Sequence, residues 1–285
     1  MFDSRRGFLR HTSMRRIFYY HYKKSNSVTT LLMIHGFAEA SFIWEKTAQE
    51  VAQKFNCDVI AIDLSGHGRS DWRDDGLYNT VTYADDVEFV INELSINSFI
   101  LIGHSMGGRI ANELVKRKVP GVCGMIMVDF CPDTRGGRPL NHVVNNFERS
   151  VARSWSIDEY AEFISKTRPL MPREDLKWLA GELLTKMNGS YFFHADSRII
   201  NYSSNYNPAK KTAEQTFSIP IAIIRGRYSS FVSEQQAKDY LHEIKLSKYY
   251  SVANSGHGLV IENNSGFNMA LYDFMKMIPG VERLA

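Results

Sequence analysis

Five short β-branched and aliphatic runs punctuate this chain, at 28–34, 59–64, 100–102, 122–128 and 219–224. Each is too short for a helix and mostly apolar on both parities, the pattern of a strand buried on both faces. The intervening segments carry apolar residues at helical spacing. Ile43, Trp44, Ala48, Val51, Ala52 and Phe55 predict a helix over 41–55, and further helices are predicted over 82–94, 109–116, 233–241 and 267–277. The stretch 16–23 alternates polar and aromatic residues and reads as an opening strand or hairpin arm, while 249–252 supplies the last strand. Buried strands alternating with helices specify an α/β fold, a mostly parallel doubly wound sheet with right-handed crossovers. In such a sheet ligands sit at the carboxyl ends of the strands.

The texture changes between 133 and 217, where no short buried strand is evident. Ser156 and Glu159 form a capping-box pattern, and Pro172 opens a second helical stretch that runs to Leu184. An aromatic cluster at 191–194 precedes a polar stretch holding Asn207 and Pro208. This segment reads as a mostly helical cap over 133–217, inserted into a core formed by 1–132 and 218–285. Trp155, Trp178, Phe192 and Phe193 are first of all candidates for the interior of that cap, with Trp155 also a candidate for substrate contact.

Composition narrows the partners. A formal charge of +3 over 285 residues, with dispersed basic side chains, gives no support for nucleic-acid binding. Cys57, Cys123 and Cys131 are odd in number and lie far apart, which predicts no metal site and fits a reducing, cytoplasmic setting. No apolar run approaches the roughly 20 residues of a membrane span. Ser4-Arg-Arg-Gly-Phe-Leu-Arg10 looks like a twin-arginine export signal, yet polar and aromatic residues follow where an apolar stretch would be needed. The Gly-rich loop Asp63-Leu-Ser-Gly-His-Gly-Arg-Ser70 lacks the spacing of a phosphate cradle and reads as a structural turn, so no cofactor is expected. The expected partner is a small-molecule acyl substrate; a homodimer is compatible with the sequence, which does not select an oligomeric state.

The chemistry centres on Ile100-Leu-Ile-Gly-His-Ser-Met-Gly-Gly108. A strand runs into a tight turn and then a helix, with Ser105 at the apex and glycines two residues to either side. The helix start below it offers free N–H groups and partial positive charge where an oxyanion would form. Ser105 is therefore the candidate nucleophile, and a serine needs a base. His257, bracketed by glycines just past the last strand, is the favoured one of nine histidines. His35 and His104 instead flank turns beside the oxyanion positions.

A carboxylate should fix the base's tautomer. The turn after 219–224 offers only Ser229 and Ser230, and the next acid, Glu234, falls on the following helix. The turn after 122–128 carries Asp129, which becomes the expected acid, with Glu214, Asp133 and Asp196 as distant alternatives. The other reading of Asp129 is a structural residue at the start of the cap.

His35-Gly-Phe37, the Asp63–Ser70 loop, Gly103-His-Ser-Met-Gly107 and Ser255-Gly-His257 together resemble the α/β-hydrolase superfamily in order and spacing, over nearly the whole chain. The resemblance implies Ser105 as nucleophile, His257 as base, and the N–H groups of Phe37 and Met106 as the oxyanion hole. It departs at Ser229 and Ser230, where most members place an Asp. Haloalkane dehalogenases of this superfamily can carry their acid where Asp129 stands, although their nucleophile is an Asp. Ester or thioester hydrolysis through an acyl-enzyme is the expectation. C–C bond hydrolysis and a non-catalytic binder on the same scaffold are alternatives. A lyase is another, since Gly107-Gly-Arg109 with His35 and Trp44 is similar to the pyruvate-eliminating enzyme of menaquinone synthesis. Arg109 lies about one turn from Ser105 on the same helix face and, with His35, is a candidate substrate contact, although a helix–loop salt bridge is its simpler reading.

Overall fold

Alternate residues of each central strand face opposite helical layers, as the period of a strand requires. In the computed structural model, which describes residues 2–10, 15–132, 138–204 and 217–284, the strands are β1 (Phe2–Arg10), β2 (Arg16–Lys24), β3 (Thr30–Ile34), β4 (Asp58–Ile62), β5 (Phe99–His104), β6 (Val122–Val128), β7 (Leu184–Met187), β8 (Ser190–Phe193), β9 (Ile221–Gly226) and β10 (Ser247–Val252). Eight of them form one sheet in the order β1-β2-β4-β3-β5-β6-β9-β10. From β4 to β10 every pairing is parallel, while β1 and β2 add antiparallel at one edge.

Leu31, Met33, Ile100, Ile102, Ile126 and Ile224 pack on one face against α1 (Glu45–Lys54) and the C-terminal helix at Asn264–Met275. Leu32, Ile34, Leu101, Met125, Met127 and Ile223 pack on the other against α2 (Thr80–Glu93) and α3 (Met106–Lys116). These strands are buried on both faces, which is why their sequences are continuously apolar. The doubly wound α/β sheet expected from the sequence is the observed one.

Three elements differ from the sequence reading. The first turn of the predicted 41–55 helix is a 3₁₀ turn, Ser41–Trp44, tied at its start by the Ser41 N–H donating to Asp63 Oδ1 at 2.7 Å. β1 was not predicted; it extends the sheet by pairing with β2 over its full length, a long-range partnership that an Arg-rich sequence does not advertise. Between β6 and β9 lie α4 (Arg138–Val151), α5 (Ile157–Ser165), α6 (Arg173–Leu183) and α7 (Asn201–Ser204), with the β7–β8 hairpin among them. The predicted second helix stops at Leu183 because the chain becomes extended at Leu184. Asn188 and Gly189 both take positive φ at the hairpin turn, the Asn-Gly signature of a type I′ connection. The 156–159 capping box is formed. Asn207 and Pro208 lie outside the described residues.

The backbone of α3 approaches the carboxyl end of β3 closely at Gly107, where an added Cβ would run into the carbonyl oxygens of Ile34 and His35. Gly107→Ala should therefore destabilise the fold by roughly 1–3 kcal/mol or more, the cost of overpacking a rigid interior. Urea unfolding tests this, and an unchanged midpoint would mean that α3 can shift without loss.

Candidate active site

β5 ends at His104, and Ser105 turns the chain into α3 with φ 51° and ψ −110°. A non-glycine residue in that region is strained, and here it is held by the Ser105 N–H donating to the Val128 carbonyl at 2.8 Å. β6 ends one residue before Asp129, also at positive φ (47°), with its N–H donating to Ile224 O at 2.8 Å. The two neighbouring strands thus finish at the same level, each followed by a candidate catalytic residue at positive φ.

Asp129 is only 2 % exposed, so its carboxylate must be satisfied by protein donors. Oδ1 accepts the Gly226 N–H at 3.1 Å. Oδ2 accepts the Ser229 hydroxyl at 2.5 Å and lies 2.6 Å from His257 Nδ1. The residue that left the expected acid position uncharged is therefore a hydrogen-bond donor to the carboxylate on the adjacent strand. Ser229 Oγ in turn accepts the Phe231 N–H at 3.0 Å, and the buried Arg225 guanidinium donates to the Val232 carbonyl at 2.9 Å, holding the loop in shape.

The His257 ring stacks on Phe231 with centroids 3.8 Å apart. Its loop is held by Glu262, whose Oε2 accepts the Gly256 N–H at 2.6 Å. Burial lowers the His257 pKa from its ordinary 6.5, an effect that the bond and charge of Asp129 only partly offset and that the nearby His104 reinforces. At neutral pH the ring is the free base, with Nδ1–H toward Asp129 and Nε2 available.

A cavity of about 190 Å³ opens at these strand ends, lined by Phe37, Ser105, Phe231 and His257 from the sheet side. Phe147, Tyr160, Phe163, Leu179 and Phe193, from the segment between β6 and β9, line its other wall. Ser105 and His257 share this cavity without a direct hydrogen bond. The N–H groups of Phe37 and Met106 are not taken up by any acceptor among the described residues.

Other residues singled out in the sequence fall elsewhere. His35 is fully buried, its Nδ1–H donating to the Gly36 carbonyl at 2.7 Å and its Nε2 accepting the Leu64 N–H at 2.9 Å. Burial lowers its pKa to about 4, and it braces the backbone instead of facing the cavity. Arg109 lies with its guanidinium over the Phe130 ring at 5.5 Å and does not line the cavity. Trp155 is buried among Tyr160 and Phe163, with Nε1 donating to the Ser150 carbonyl at 2.9 Å; it supports the wall from behind. Asp196 is occupied by Tyr78 and Arg198, whereas Asp133 and Glu214 lie outside the described residues. Among the described residues no group of three or more His, Cys, Asp or Glu side chains is placed to hold a metal, and no helix is long and apolar enough to cross a membrane.

Three further charged residues, Glu39, Arg168 and Glu262, line the cavity without a local signal in the sequence that marks them for it. Glu39 is 8 % exposed and accepts from His104 Nδ1 at 2.8 Å, from the Gly36 N–H at 3.1 Å and from Arg168 Nη2 at 3.1 Å. Arg168 was one arginine among several in a polar segment, and only its contact distinguishes it.

A family model for the alpha/beta hydrolase fold matches residues 29–264. Among curated proteins the chain is similar to the AB hydrolase superfamily protein YisY of Bacillus subtilis, 25 % identical over 86 % of this chain and 90 % of that one. It is also similar to protein phosphatase methylesterase 1 of Bos taurus, 31 % identical, but over only 40 % of this chain and 31 % of the other. A crystal structure of an alpha/beta hydrolase from Novosphingobium aromaticivorans superimposes with a TM-score of 0.82 at 17 % identity, covering 98 % of this chain and all of that one. With the sheet order, the strained serine turn and the match over most of its length, the chain belongs to the alpha/beta hydrolase family.

Proposed function

We propose that the protein is a serine hydrolase that cleaves a small ester or thioester through an acyl-enzyme. The observation that carries this reading is the 2.6 Å contact between His257 Nδ1 and the buried Asp129 carboxylate, in the cavity that also holds Ser105. Asp129 fixes the Nδ1–H tautomer, so Nε2 can take the Ser105 proton as the hydroxyl attacks the acyl carbon. The tetrahedral oxyanion is stabilised by the free N–H groups of Phe37 and Met106. His257 then returns the proton to the leaving alcohol or thiol, and water attacks the acyl-enzyme by the same route. Ser105 and His257 meet directly only once substrate draws the site together, as catalytic hydrogen bonds often do.

The segment 133–217 acts in this reading as a cap whose apolar wall receives the acyl group. A cavity of about 190 Å³ is below the ~300–1,000 Å³ usual for ligand pockets, which favours short acyl chains. Arg109 was the residue that favoured a lyase, and its place outside the cavity removes that support. The bovine relative's name, a methylesterase, is in keeping with ester cleavage.

Ser105→Ala should abolish hydrolysis of p-nitrophenyl acetate and butyrate while leaving the circular-dichroism spectrum intact, and a fluorophosphonate should label the unmodified protein at Ser105. Absence of labelling at neutral pH would sink the acyl-transfer reading; labelling without turnover would favour a binder on the same scaffold.

Asp129→Asn should lower kcat by about 10⁴-fold by favouring the wrong tautomer. Ser229→Ala removes one donor from the carboxylate and should cost about ten-fold, the equivalent of one charge-assisted hydrogen bond of roughly 1.5 kcal/mol. If both variants retain full kcat, Asp129 is not the triad acid.

Because His257 acts as the free base, kcat/KM should fall as pH drops through its pKa, and that limb should lie below 6.5. A pH–rate profile with its acidic midpoint above 7 would contradict this.

A further inference from the structure

His104 stands immediately before Ser105, is 2 % exposed, and meets an acceptor at each ring nitrogen. Nδ1 faces the Glu39 carboxylate at 2.8 Å, and Nε2 faces the backbone carbonyl of His257 at 2.8 Å. A neutral imidazole has a single N–H, so one of these contacts would set a lone pair against an acceptor oxygen. With Glu39 held as a carboxylate by the Arg168 guanidinium and the Gly36 N–H, only the imidazolium satisfies both. We propose that His104 is a protonated positioning residue, which pins the His257 loop through its carbonyl and adds to the burial that disfavours charge on the His257 ring.

The surroundings fit that assignment from every side. Glu39, on the loop after β3, supplies the counter-charge; burial raises its pKa, but His104 and Arg168 outweigh this and hold it as a carboxylate. Arg168, reaching in from beyond α5, takes the other Glu39 oxygen at 3.1 Å and keeps the carboxylate aimed at His104. Burial disfavours charge on His104 as well, and Glu39 more than compensates, with help from the His257 carbonyl and from Asp129. His35, at the end of β3, is neutral and adds no competing charge. Space has been cleared for the bridge: a Cβ on Gly36 would stand 2.7 Å from Glu39 Oε2 and 2.9 Å from His104 Nδ1.

The consequence for the base is electrostatic. The His104 and His257 rings are 4.8 Å apart, so a fixed cation on one opposes protonation of the other in the resting site. The imidazolium that forms on His257 during proton transfer meets the same cation, and Asp129 carries the balancing charge. The device thus links the oxyanion loop through the Gly36 N–H on Glu39, the residue before the nucleophile, the base loop and the segment between β6 and β9.

This inference rests on the proposed role of His257, but its test reads protons and needs no turnover. Two-bond ¹H–¹⁵N spectra of the full chain labelled with ¹⁵N-histidine, recorded at pH 7.5, should show His104 with both nitrogens protonated and His257 as a neutral tautomer. In Glu39→Gln the His104 imidazolium signature should be lost at that pH. In His104→Gln the His257 titration midpoint, and the acidic limb of kcat/KM for p-nitrophenyl acetate, should rise by about one pH unit as the neighbouring cation is removed. A neutral His104 tautomer in the unmodified protein overturns the proposal whether or not the variants fold. An unmoved His257 midpoint in a folded His104→Gln overturns the electrostatic role. Spectra as expected from a protein that neither reacts with fluorophosphonate nor hydrolyses esters would leave His104 as assigned and remove the esterase reading instead.

Discussion

A single buried carboxylate fixes the geometry on which the rest of the site depends. Asp129 sits at the end of β6 in a left-handed conformation and receives one donor each from β9, from the loop after β9 and from the loop after β10. An ionised carboxylate at that depth would be prohibitively costly without such donors, so the end of β9 and the two loops are held to one another by the need to satisfy it. The parallel register that ends β5, β6 and β9 at the same level makes the convergence possible. In the proposed reaction this places the base, and the same bonds then fix which of its nitrogens carries the proton.

A second electrostatic knot adjoins the first, built around the residue before Ser105. Glu39, His104 and Arg168 are drawn together from three parts of the chain, and each satisfies a group that would otherwise be stranded in a dry interior. Strain accompanies both knots: Ala38, Ser105 and Asp129 all take positive φ without being glycine. Backbone strain of this kind persists where packing over-determines it, and three of the eight such non-glycine residues among the described ones stand beside the candidate site. The large two-faced core offers the surplus stability that such placement costs.

The segment between β6 and β9 gives the cavity its character. Its aromatic side chains pack against one another and against Phe37, through the Phe37–Phe147 and Phe147–Phe193 contacts at 5.2 and 5.9 Å, so the wall facing Ser105 is largely aromatic and aliphatic. Asn146, Ser150, Thr167 and Arg168 are the polar members of that wall, and Arg168 is bonded to Glu39. For the proposed hydrolysis such a wall suits a short apolar acyl group better than a long one.

The sheet, its flanking helices and the serine turn were legible in the sequence because each rests on a local signal. Continuous apolar runs such as 122–128 can only be strands covered on both sides, and Gly103-His-Ser-Met-Gly107 spells out a turn that needs small residues at fixed offsets. The Asn188-Gly189 hairpin was equally legible by its turn chemistry, and an aromatic-rich, helix-like context obscured it. β1 was not, since its Arg-rich sequence gains strand structure only by pairing with β2. Ser229 was seen as an uncharged residue where an acid was expected, but its bond to Asp129 joins the ends of two adjacent strands 100 residues apart and has no local signature. The same holds for Glu39 and Arg168, 129 residues apart, whose meaning comes from shared burial. Sequence by itself determined the backbone scaffold and the residue at its sharpest turn, because propensity and periodicity act over neighbours. Tertiary structure alone decided which charges face one another, because the cost of burying a charge depends on which groups the fold brings within hydrogen-bond reach.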